Sequence, residues 1–127
     1  MRPVFIAMFV LACPSMFAQA ATLDKALSNL DPDERARQVC SIRGIDQIRA
    51  DKALPKADRI QPGSQSQTPF DGKIVLATHG AVRAKDQWFA LKFSCAVTEN
   101  QMKATSFTYE IGAAIPEEQW EDRGLFK

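Results

Sequence analysis

The spacing of small and apolar residues changes period along this chain, and the changes predict where its elements lie. Between Pro32 and Asp51 the spacing is helical: Ala36, Cys40, Gly44, Gln47 and Ile48 fall on one side, flanked by Val39 and Ile45. Asp31 stands where a cap belongs, Pro32 suits the first helical position, and Asp33 and Glu34 put negative charge at the positive end of the helix. Glu34 lies three residues past Asp31, the spacing of a capping box. Gly44 costs about 1 kcal/mol of helix propensity relative to alanine. Its missing side chain would let the helix lie close against a sheet. Upstream, Thr22 to Asn29 is too short for a stable isolated helix and is expected to be a helical turn or a lead-in.

From Lys73 onward the period is two. Phe89, Leu91, Phe93, Cys95 and Val97 alternate with Trp88, Ala90, Lys92, Ser94 and Ala96, the pattern of a half-buried strand with Cys95 facing inward. Phe107, Tyr109 and Ile111 form the stripe of a following strand. A three-residue loop at Glu99 to Gln101 would set Phe93 opposite Phe107, Leu91 opposite Tyr109 and Phe89 opposite Ile111. A tight turn at Lys85-Asp86 would pair Val82 with Phe89 inside and Arg83 with Trp88 outside. Ile74 and Leu76 share the parity of Val82 if Lys73 to Ala84 is one strand bent at Gly80. Pro116 then opens a short helix that Gly124 closes, anchored by Trp120, Leu125 and Phe126. Between helix and strands, Pro55, Pro62, Gly63, Pro69 and Gly72 with the polar run Ser64 to Thr68 predict an irregular loop at about 54–72, in which Asp58 to Ile60 is the one ordered rung. Its composition favours disorder.

The first twenty residues read as an export tag, which changes the meaning of the cysteines. Arg2 supplies a positive start, Val4 to Leu11 an apolar run, and Ala18-Gln19-Ala20 the small residues a signal peptidase reads, so that the mature chain begins near Ala21. A membrane span needs about 20 apolar residues, and Pro14 and Ser15 interrupt this run. No span is expected after cleavage. Lipidation at Cys13 is an alternative, although Leu11 sits where a lipoprotein site prefers a small residue. Cleavage removes Cys13 and leaves Cys40 and Cys95 in a compartment where thiols oxidise, so they are expected to form one disulfide. By chain entropy, closing a loop of roughly 55 residues stabilises by about 4 kcal/mol. The expected fold is α+β: a long N-terminal helix packed on a small three-stranded antiparallel meander, a short C-terminal helix, and one disulfide, in a single domain over 21–127.

Charge narrows the partners. The chain carries 16 basic and 15 acidic side chains, and cleavage removes Arg2 to leave the mature protein formally neutral. The basic residues between Arg35 and Arg59 are interleaved with Asp46, Asp51 and Asp58, as on a solvated helix face, so no nucleic acid is expected as partner.

Leu30-Asp31-Pro32, Gln38-Val39-Cys40, Gly80-Ala81-Val82-Arg83, the run from Trp88 to Cys95, Phe107 to Gly112, and Ile115-Pro116 with Trp120 resemble the uncharacterised secreted alphaproteobacterial proteins grouped as domain-of-unknown-function family 930. The resemblance spans nearly the whole mature chain, and its specificity lies in the order and spacing of short pieces. It implies an exported protein with no established activity and supplies no catalytic residues.

Candidate chemistry is sparse. His79 is the only histidine, and a triad would need it as base, but bridging both thiols removes its best nucleophile. Structural zinc sites want four Cys or His ligands, which one histidine and two paired cysteines do not supply, so no metal or cofactor is expected. Glu117 with Glu118, and Glu121 with Asp122, are adjacent helical residues that point in different directions and suit no glycosidase pair; Glu110, opposite Ala90 on the outer face, is the remaining acid. Trp88 with Arg83 across the turn is a more pointed signal, because these residue types dominate binding hot spots. Against it, the same register sets Trp88 over Gly112, and the Trp120 helix could fold onto it. The reading is a periplasmic or secreted, non-enzymatic module that binds a protein or envelope component through Arg83, Trp88 and Lys92. A small envelope hydrolase or inhibitor using His79 or Glu110 is the alternative. Weak self-association through the edge strand Lys73 to Ala84 is a further expectation.

Overall fold

The computed structural model describes residues 16–127, with side chains from residue 21 onward. The apolar leader segment and Cys13 lie outside the described residues. Two helices, α1 (Met16–Ser28) and α2 (Pro32–Ala50), precede four strands: β1 (Ala57–Gln61), β2 (Ile74–Ala84), β3 (Gln87–Val97) and β4 (Ala104–Ala114). The strands form one antiparallel sheet in the order β1-β2-β3-β4.

α2 buries Ala36, Val39, Cys40, Gly44 and Ile48 against one face of this sheet. Cys40 and Cys95 are bridged with their Cα atoms 5.9 Å apart. Gly44 shows how tight the contact is: a Cβ there would lie 2.5 Å from Phe107 Cζ and 2.7 Å from Ile60 Cδ1. Asp31 occupies the N-cap position, but its side chain makes no capping bond. The α1–α2 corner is held instead by Arg35, which donates to the carbonyls of Leu27 (2.9 Å), Ser28 (3.1 Å) and Leu30 (2.8 Å) and to that of Asn100 (3.0 Å) in the β3–β4 connection. Leu27 and Ser28 stand in the last turn of α1, where carbonyls lack the helical partner four residues on.

The α+β class and the disulfide are present, but the three-stranded meander behind a long N-terminal helix is not. The long helix is the second one, since α1 precedes it. The sheet has a fourth strand, β1, paired with Ala81 to Ala84 inside the segment expected to be irregular. A bulge between Ala57 and Arg59 breaks its alternation and hides it from a period-two reading. The C-terminal helix is reduced to a 3-10 turn, Glu117–Gln119. β2 is also no simple edge, because β1 flanks its second half, while Leu76 N donates to Pro69 O (3.1 Å) and Asp71 N to Ile74 O (3.3 Å) along its first.

The rest of the Pro- and Gly-containing segment is tied down from within. The buried Arg37 donates from Nε to Thr68 O (3.0 Å), and the Thr68 hydroxyl, fully buried, donates to Ser64 O (2.8 Å) with Pro62 O also in reach. Asp71 accepts from the backbone N–H groups of Lys73 (2.9 Å) and Ile74 (2.8 Å), which holds its carboxyl below the usual range.

Strand parity departs from expectation at two places. One extra residue lies between Ala77 and Gly80 of β2 relative to β3. Val75 and Ala77 therefore face the core, and Ile74 and Leu76 are exposed at 41% and 46%. The β3–β4 register keeps its faces but slips by two, giving Phe93 opposite Tyr109, Leu91 opposite Ile111 and Cys95 opposite Phe107. The turn at Lys85-Asp86 is as read from the sequence: Arg83 pairs with Trp88, Val82 pairs with Phe89, and both turn residues have positive φ (50° and 60°), as a type I′ hairpin requires.

Tyr109 joins β4 to the end of α2, donating its hydroxyl to Asp51 Oδ2 (2.8 Å). Burial first, and then this bond, push the phenol above its ordinary value of 10.0. The protonated ring thus stabilises the fold below the unfolded value, and that contribution is lost as pH rises through the folded one. Because Tyr109 is the only tyrosine, ultraviolet titration of phenolate reads it alone. Its midpoint should lie above that of a free tyrosine and fall in Asp51→Asn; a midpoint unchanged by that substitution would refute the coupling.

Candidate functional site

The outer face of the sheet is divided by the chain's own C-terminus. After β4 the backbone turns back, with Ile115 N donating to Trp88 O (2.8 Å), and Gly124 at φ +67° reverses it again so that Leu125 N reaches Trp120 O (2.8 Å). This strap seats Ile115, Trp120 and Leu125 on Ala81 and Trp88, a second small core on the face opposite α2. Trp88 is 1% exposed, and its Nε1 donates to Phe126 O (2.8 Å). The side chain expected to stand open to a partner is therefore covered, and by the segment around Trp120. Gly112 lies against Ala90 instead, whose Cβ would be 3.2 Å from a Cβ at that glycine.

Arg83 is beside Trp88, with Cζ 5.8 Å from the ring centroid, but its guanidinium is engaged by Asp58. Nε and Nη2 donate to the two carboxylate oxygens at 2.9 Å each. This fork lowers the Asp58 carboxyl and raises the Arg83 guanidinium, each mainly through the shared hydrogen bonds. With Asp58 45% exposed, solvent keeps the pair weak as a stabiliser, and its role is to fasten β1 to β2. Lys92 is exposed and lies across the sheet from Arg83, directly opposite Glu110 of β4. The sheet thus brings Arg83 and Trp88 together and leaves Lys92 in a different group.

That group is built by the β2 bulge. Gly80 is closely hemmed in by backbone, since a Cβ would meet Leu91 O at 3.0 Å and Gln61 O at 3.3 Å. Beside it, Arg123 of the strap donates from Nη2 to the carbonyls of His79 (3.2 Å) and Gly80 (3.3 Å). Two grooves meet at this point. The larger, about 520 Å3, is lined by Gln61, Ser64, Gln67, His79, Asp122 and Arg123, and the smaller, about 400 Å3, by Thr78, His79, Lys92, Glu110 and Arg123.

The chemistry available there is recognition of polar groups. Two cations, a carboxylate and an imidazole converge on the smaller groove. Ser64, His79 and Asp122 share the larger one, but Ser64 Oγ is bonded to Ser66 Oγ (3.1 Å), and His79 Nδ1 meets the hydroxyl of its neighbour Thr78 (2.9 Å) rather than that of Ser64. Among the described residues, no three His, Cys, Asp or Glu side chains converge as metal ligands would, and no helix is long and apolar enough to cross a membrane. Arg123 carried no signal in the sequence. It becomes a site residue only because the strap returns over the bulge.

The chain matches the family model described as Domain of Unknown Function (DUF930) over residues 27–125, and it belongs to that family. No curated protein and no solved structure matches it.

A packing role for Trp88 has a large energetic signature. Trp88→Ala should lower stability by about 3 to 5 kcal/mol in urea denaturation, as expected for a buried ring. A change below about 0.5 kcal/mol, the size of an ordinary surface substitution, would show that the ring is not covered.

Proposed function

We propose that the protein is an exported, non-enzymatic module that binds a protein or envelope component at the paired grooves around His79 and Arg123. In this reading the segment 1–20 is a signal peptide cleaved near Ala20 and Ala21, and 21–127 is the working domain in the periplasm or outside the cell. The Cys40–Cys95 bridge supports an oxidising compartment, because such bonds seldom persist in the cytosol of most organisms. The binding surface expected around Arg83, Trp88 and Lys92 moves along the sheet: Trp88 supports the strap from beneath, Arg83 clamps β1, and Lys92 is the member that reaches a ligand.

The observation that carries this reading is the convergence of Lys92, Glu110, His79 and Arg123 on one groove. Opposite charges on one wall suit a partner presenting both signs, such as a polypeptide segment or the peptide portion of an envelope polymer. The alternative, a small envelope hydrolase or inhibitor, would use His79 and Glu110, which line that same groove.

Crosslinking in the host envelope tests it. The native protein as bait should enrich a defined partner that Lys92→Glu loses and that Glu118→Lys, on the exposed terminal turn, retains. Recovery of the same proteins by all three baits would defeat the proposal. Loss of a hydrolytic activity in His79→Ala with Glu110→Gln, while the crosslinks persist, would favour the alternative.

A further inference from the structure

The sheet keeps one edge that nothing among the described residues covers. β4 is its outermost strand, eleven residues long, and no loop or helix backbone of the described residues bonds to its outer side. The ladder decides which groups lie there. Val97 N donates to Lys73 O (2.9 Å), so the odd-numbered residues of β3 direct their backbone groups at β2 and the even-numbered ones at β4. Thr108 and Glu110, opposite Ser94 and Lys92, consequently bond within the sheet. The N–H and C=O groups of Phe107, Tyr109 and Ile111 point outward.

Natural edges are blunted by lysine, proline or short length. From Ser106 to Ile111, β4 has no lysine and no proline, and Glu110 is its one charge. Register shifts flank this run without interrupting it. Leu23 and Ile42, exposed at 45% and 38%, stand in a shallow groove with Met102 and Ala104 at the same edge, so apolar surface accompanies the unpaired backbone.

We propose that β4 pairs antiparallel with β4 of a second copy of this chain about a two-fold axis through Thr108, joining two four-stranded sheets into one. Residues directly opposite one another must share a face, which permits an axis at a residue and not between residues. With the axis at Thr108, Phe107 meets the partner's Tyr109, and Ser106 meets the partner's Glu110. The strand's single charge then faces a hydroxyl and never its own copy. An axis at Tyr109 would bring two Asp51 carboxylates together, since each accepts a hydrogen bond from its own Tyr109 (2.8 Å). Like charges across the join disfavour that register.

Glu110 is common to this join and to the smaller groove, but Ser106 and Thr108 line neither groove, so substitutions at those two positions leave every groove residue in place. Sedimentation equilibrium of the purified, oxidised protein tests it, and the mass should rise with concentration toward that of two chains. Thr108→Lys sets two like charges opposite each other at the axis and should weaken association about fivefold, whereas Ser106→Lys faces the partner's Glu110 and should strengthen it about fivefold. Both positions are exposed, so the melting temperature measured at dilutions where the protein is monomeric should be unchanged in each variant. A monomer at every concentration overturns the proposal, and this is the result if the edge instead accepts an extended segment of another protein. Association indifferent to both substitutions, or strengthened by Thr108→Lys, overturns it too.

Discussion

α2 lies closer to the sheet than side chains would ordinarily permit, and the Cys40–Cys95 bridge holds it there. The helix contributes small atoms at the contact: Ala36 and Cys40 are fully buried, and Gly44 has no room for a Cβ between Phe107 and Ile60. A glycine inside a helix forfeits about 1 kcal/mol of propensity, and small residues bury little apolar area apiece. The bridge offsets this by removing freedom from the unfolded chain. It spans 55 residues, from α2 across β1 and β2 to β3, so the elements inside that loop are positioned by a covalent closure as well as by packing.

The outer face inherits its form from that arrangement. With α2 occupying the inner face, the extra residue in β2 before Gly80 decides which side chains are left outside: Val75 and Ala77 enter the core, while Ile74 and Leu76 emerge. The same irregularity offers the carbonyls of His79 and Gly80 to Arg123. A single guanidinium nitrogen, Nη2, donates to both adjacent carbonyls, so the strap is pinned over the bulge and the grooves form on either side. Trp88 contributes from below, as the ring on which Trp120 and Leu125 rest. Recognition, in this molecule, depends on a sheet defect and on a chain end that reads it.

Much of the architecture was legible because it has a local cause. The inward stripe of α2 follows from helical spacing, the pairing of Cys40 with Cys95 from the cysteine count, and the Lys85-Asp86 turn from the alternation on both sides of it. What escaped has a tertiary cause. β1 is five residues long and bulged, so it never shows two full periods. Thr78-His79-Gly80 read as a bend, since a single inserted residue leaves no trace in composition while reversing the parity of everything before it. The β3–β4 register slipped by two because Thr98 to Lys103, closed by Thr98 N donating to Lys103 O (2.9 Å), connects strands that a three-residue loop was expected to join. The cover on Trp88 by the Trp120 segment was visible as an alternative, but period-two reasoning sees only that the ring points outward and does not choose between a covered ring and an open one. Lys92, His79 and Glu110 were each visible as residues; their convergence required the bulge.

Equilibrium unfolding in urea, with the bridge intact and after its reduction, measures the tie between α2 and β3 most directly. The oxidised protein should be more stable by about 4 kcal/mol, with neither Cys40 nor Cys95 alkylated until reductant is added. Equal stability in the two states, or thiols that react from the start, would mean that packing alone holds the helix to the sheet.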